Sequence, residues 1–164
     1  MNRNITITLS VYPNTRGFGF VVMEGPRLLV NYATCTIKPV SNEGCLARLK
    51  KIVNYHQPTV VLLRDADEAT ANRSQRIAKL IVAINEYIRQ KHIPVHRYSR
   101  AQIKNAFSQF GTTTKHGIAQ KIASEYDELK DYAPKPRKAW MDEDYNMGIF
   151  DAMALIGTHH FLTD

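Results

Sequence analysis

Cysteine is scarce in this 164-residue chain, which holds only Cys35 and Cys45. The pair fits no metal-binding spacing and is far too sparse for a disulfide scaffold, so both read as reduced, partly buried thiols of a cytosolic protein. Long apolar runs are missing as well. No stretch approaches the length of a membrane span, and Met1-Asn2-Arg3-Asn4 passes into a strand pattern instead of a signal-peptide core. The expectation is a soluble, cytoplasmic protein with no membrane partner. Internal repeats and low-complexity segments are absent, and so is a P-loop lysine motif. With so short a chain, this ranks an actin- or sugar-kinase-like ATPase of two closing domains low. Acidic residues are the minority, 15 against 22 lysines and arginines, for a formal charge of +7 and a pI near 9.5. That balance favours a polyanionic partner, although soluble proteins that bind nothing charged share it.

What is present suffices for one core: 44% of the residues are hydrophobic, and the chain reads as a single domain over residues 1–164. Its opening stretch alternates Ile5, Ile7, Leu9 and Val11 with Thr6, Thr8, Ser10 and Tyr12, the period of a strand buried more deeply on one side. Pro13 to Gly17 supplies the turn and Phe18 to Met23 the returning strand, so Tyr12 stands where strand meets loop. Residues 27–37 read as a third antiparallel strand, and residues 41–53 as a helix with one apolar stripe. The wholly apolar run from Thr59 to Leu63 reads as a strand covered on both faces and paired in parallel. A long amphipathic helix over about 70–91, a strand at 93–98, and helices at 100–110, 115–129 and 142–161 complete the order. A three-stranded meander extended by parallel strands through helical crossovers predicts a mixed five-stranded α/β sheet with helices on both faces, the ribonuclease H-like architecture.

On that frame, two motifs resemble the RuvC-like Holliday junction resolvases of the ribonuclease H-like superfamily. The hairpin from Val11 to Phe20 resembles their opening strand and Asp-Pro-Gly-type turn, and Phe150-Asp151-Ala152-Met153-Ala154 resembles the last helix with its essential carboxylate. Ile103-Lys104, Gly111 and Lys115 resemble positions that face DNA in that family. The resemblance implies a nuclease in which clustered carboxylates from several elements hold two divalent ions, magnesium or manganese, on a phosphodiester. It also makes branched DNA the first-choice partner and a homodimer through the long helix plausible.

The chain departs from the family where the metals should sit. Tyr12 stands in the place of the first-strand Asp, Arg64 in that of the fourth-strand Glu, and Gly148 in that of the helical acid one turn before Asp151. A phenol is a poor magnesium ligand and a guanidinium repels the ion. Asp151 shares a helical stripe with Met147, Ala154 and Leu155, so it should be buried and in need of a partner, which Arg64 is expected to supply. The expectation is a catalytically impaired, nucleic-acid-binding pseudoenzyme that needs no cofactor. A rearranged metal site of Asp151, Asp65 and Asp144, with Asp67 or Glu143 in reserve, is the enzymatic alternative. Against it, Asp142-Glu143-Asp144 equally suits acids gathered at a helix N-terminus.

Binding candidates are Lys104, Lys115, Arg137 and Lys138 on phosphates, with Trp140 or Tyr98 stacking on an exposed base. The Pro134–Lys138 cations suit a solvated loop equally well. His116 beside Lys115, and His159-His160 at the end of the last helix, are weaker candidates that read first as surface or dipole-stabilising residues.

Overall fold

The computed structural model describes residues 5–67, 72–138 and 140–163. Its strands are β1 (Ile7–Pro13), β2 (Gly17–Glu24), β3 (Leu28–Thr36), β4 (Val60–Arg64) and β5 (Val95–Tyr98). They form one sheet in the order β3-β2-β1-β4-β5, antiparallel through the meander and parallel from β1 to β4 to β5. The helices are α1 (Asn42–His56), α2 (Gln75–Gln90), α3 (Arg100–Ser108), α4 (Lys115–Glu125) and α5 (Met147–Thr163), with a 3-10 turn at Asp127–Tyr132. This is the mixed five-stranded α/β arrangement that the hydrophobic pattern implies. Among the described residues, no helix is long and apolar enough to cross a membrane.

β1 is the central strand, and it is buried on both faces. Leu9 and Val11 join Val61 and Leu63 of β4 in a core beneath α1 and α2, whereas Tyr12 joins Leu62 in a core beneath α3, α4 and α5. Ser10, on the same face as Tyr12, is fully buried and donates a 2.6 Å hydrogen bond to the Ala152 carbonyl of α5. Deeper burial on one side was the expectation for this strand. The crossover helices cover both faces toward the strand's C-terminal half, so Ser10 and Tyr12 are buried as Leu9 and Val11 are, whereas Thr8 is half-buried.

The helix starts follow their caps. Ser41, Ser74, Ser99 and Thr114 each accept a backbone N–H from the first turn of α1, α2, α3 and α4, and Ser99 with Gln102 completes a capping box. The last helix begins later than the expected residue 142. The Asp144 carboxylate accepts the Asn146 N–H and its carbonyl accepts the Met147 N–H, a local turn that holds residues 142–146 outside α5. The expected start of the long helix near residue 70 falls partly outside the described residues.

Two glycines set the distance between α5 and the sheet. A Cβ on Gly19 of β2 would overlap the Gly148 carbonyl, so the two backbones touch where the helix begins. Parallel β1, β4 and β5 all end at this same edge, which brings Tyr12, Arg64 and the start of α3 together.

Candidate functional site

Asp151 lies at the centre of the site, on α5, with a side chain 4% exposed. Lys115 Nζ is 3.3 Å from its Oδ2, and Arg100 Nη1 is 3.6 Å from its Oδ1. Lys115 also reaches the Glu143 carboxylate at 3.1 Å. The expected Arg64–Asp151 pair is not formed. Arg64 turns to the β1–β2 turn, where it donates to the Pro13 carbonyl at 2.8 Å and lies 4.8 Å from the centre of the Tyr12 ring. A carbonyl at the end of the adjacent strand is nearer to it than a carboxylate on the helix above.

Burial pushes the Asp151 carboxyl above its ordinary pKa, and Lys115 and Arg100 oppose that rise without cancelling it. Burial pulls the Lys115 ammonium down, but Asp151, Tyr12 and Glu143 together outweigh it and leave its pKa above the ordinary lysine value. Burial also raises the Tyr12 phenol, reinforced by Asp151 and opposed by Arg64, Lys115 and Arg100. Tyr12 therefore stays neutral at neutral pH, a packed phenol beneath two cations, with Lys115 5.8 Å from its ring centre.

Of the other acids of the expected metal set, Glu143 approaches Asp151 across the Lys115 ammonium that both bind. Asp65 follows Arg64 at the end of β4 and so faces the opposite side of the sheet, where it meets Arg97 at 3.9 Å with both side chains substantially exposed. Asp67 is half-buried beyond the end of that strand. Asp144 is held in the turn before α5. Gly148 has little room for an acid, because a Cβ there would already lie 3.2 Å from the Gly19 backbone. Among the described residues, no three His, Cys, Asp or Glu side chains gather to hold a metal ion. The groups paired with Asp151 are an ammonium and a guanidinium, which repel a divalent cation, so this site does not fit the pair of metals that the resemblance implies.

Of the remaining candidates, Lys104 is exposed on α3. Arg137 donates to the Met141 carbonyl at 2.6 Å, and Lys138 lies 5.0 Å from the centre of the Trp140 ring, which is 78% exposed. Tyr98 is not open for stacking: it is buried and shares a 2.6 Å hydrogen bond with His159 Nδ1. His116 is half-buried and His160 exposed.

Arg100 is the residue that sequence reading missed. Both of its terminal guanidinium nitrogens are buried without a hydrogen-bond partner. Arg100 and Lys115 are each the first residue of a helix, the end at which the macrodipole disfavours a cation. That misplacement was the available signal.

No family model and no curated protein matches the chain. Solved structures do. The RuvC of Thermus thermophilus is 18% identical over 95% of this chain and 94% of its own, with a TM-score of 0.64. The same protein in complex with Holliday junction substrate gives 0.65 at the same identity and coverage. The yeast mitochondrial Holliday junction resolvase is 11% identical over 93% of this chain and 78% of its own, with a TM-score of 0.57. The chain has the RuvC-like, ribonuclease H-like fold.

Proposed function

We propose that the chain is a nucleic-acid-binding protein of RuvC-like fold that holds a phosphodiester backbone with cations and does not cleave it. The observation that carries this reading is the environment of Asp151, where Lys115 and Arg100 surround the one carboxylate retained from the family pattern. Exposed Lys104, the Arg137–Lys138 loop and Trp140 supply further phosphate contacts and a stacking surface. The net charge of +7 supports the same partner. Similar folds belong to proteins that act on Holliday junctions, which makes branched DNA the first substrate to test.

The test incubates an end-labelled four-way DNA junction with the protein in magnesium, in manganese and in chelator, beside Asp151→Asn. The expected result is binding that survives chelation, weakens steeply with salt and yields no cut product. Metal-dependent cleavage lost in Asp151→Asn would overturn the reading in favour of a nuclease using Asp151, Asp65 and Asp144. Affinity indifferent to salt would overturn the phosphate contacts.

A further inference from the structure

Beyond the central site, a groove runs along the sheet edge where β2 begins and β3 ends. Its inner part, a cavity of about 230 Å³, is lined by Arg16, Thr34, Tyr145 and the acids 142–144. Its outer part, about 570 Å³, is lined by Arg16, Thr36, Lys38 and Tyr145. Arg16 and Tyr145 belong to both, so the two parts are continuous. The groove also meets the central site, because Glu143 gives its carboxylate to Lys115 and its carbonyl to Arg16 at 3.1 Å.

We infer that the outer groove binds one unpaired strand of nucleic acid as it leaves the central site, an inference that rests on the nucleic-acid reading above. Three observations support that ligand. The outer part has two cations and no acid, and among the described residues Lys38 is exposed with no hydrogen bond or ion pair to another side chain. The Thr36 hydroxyl is buried and lacks a hydrogen-bond partner. Tyr145 is 53% exposed yet fixed, its hydroxyl donating to the Thr34 carbonyl at 3.3 Å and its carbonyl accepting from the Thr34 hydroxyl at 3.1 Å. A ring held in place and open to solvent is a stacking platform that loses little entropy on binding. The acids of the inner part repel phosphate and keep the backbone on Arg16 and Lys38.

Fluorescence anisotropy with labelled oligothymidylate and a labelled four-way junction, over a range of salt, tests the groove. Lys38→Ala should lower the salt slope for the oligomer by about 0.7, one phosphate contact on a single strand. Tyr145→Ala should weaken oligomer binding about tenfold. Lys50→Ala, over Tyr87 in the α1–α2 layer, should change neither. Parent protein that binds the junction but not the oligomer, or oligomer binding unmoved by both groove substitutions, overturns the groove alone. Binding to neither probe overturns the nucleic-acid reading with it.

Discussion

Lys115 stabilises a carboxylate that the fold would otherwise leave nearly alone. Replacing it with methionine leaves Asp151 with Arg100 at 3.6 Å as its remaining close cation. Lys115→Met should cost about 1–3 kcal/mol at neutral pH, below the figure for a fully buried pair because Lys115 is 36% exposed. The pH dependence follows from the two directions of shift. The raised lysine pKa gives stability that is complete below the ordinary lysine value and lost as pH rises through the folded one. The raised Asp151 pKa makes it take up a proton early on acidification, after which it needs no cation. Urea unfolding of parent and variant should therefore show a gap that is widest near neutrality and narrows toward acid and strong base. The burial of Asp151 was legible from its helical stripe. Its partners were not, because Lys115 and Arg100 come from different helices and meet only once the sheet edge is assembled.

At the scale of elements, α5 approaches β2 as closely as it does because neither Gly19 nor Gly148 has a side chain. Gly19→Ala should destabilise by roughly 1–3 kcal/mol, toward the upper end because the obstructing atoms are backbone and cannot rotate away. Gly25→Ala is the control: its φ is +64° and nothing lies within 4 Å of where a Cβ would sit, so only left-handed strain of about 1 kcal/mol remains. Chemical denaturation of both variants measures the difference. Strand identities were readable from alternation and the starts of α1, α3 and α4 from helical periodicity, since both signals are local. The start of α5 was not, because the Asp144 turn competes with helix for the same backbone groups.

For the whole molecule, adjacent residues of one strand belong to opposite cores, Leu62 to that beneath α3–α5 and Leu63 to that beneath α1–α2. A defect on either side is therefore transmitted through the shared sheet. Thermal unfolding should be a single transition, with calorimetric and van't Hoff enthalpies in agreement, and Leu63→Ala should lower it as a whole at a cost of about 2–5 kcal/mol. Two resolved transitions would divide the chain into separately folding parts. Periodicity and turn chemistry determined the five-stranded α/β architecture, and resemblance to a known motif set Tyr12 and Arg64 against a metal-binding pattern, because both signals are written in neighbouring residues. Which cations reach Asp151, that Arg97 meets Asp65 and where a groove opens were decided by the tertiary structure, because they depend on distances between segments that lie far apart in the chain.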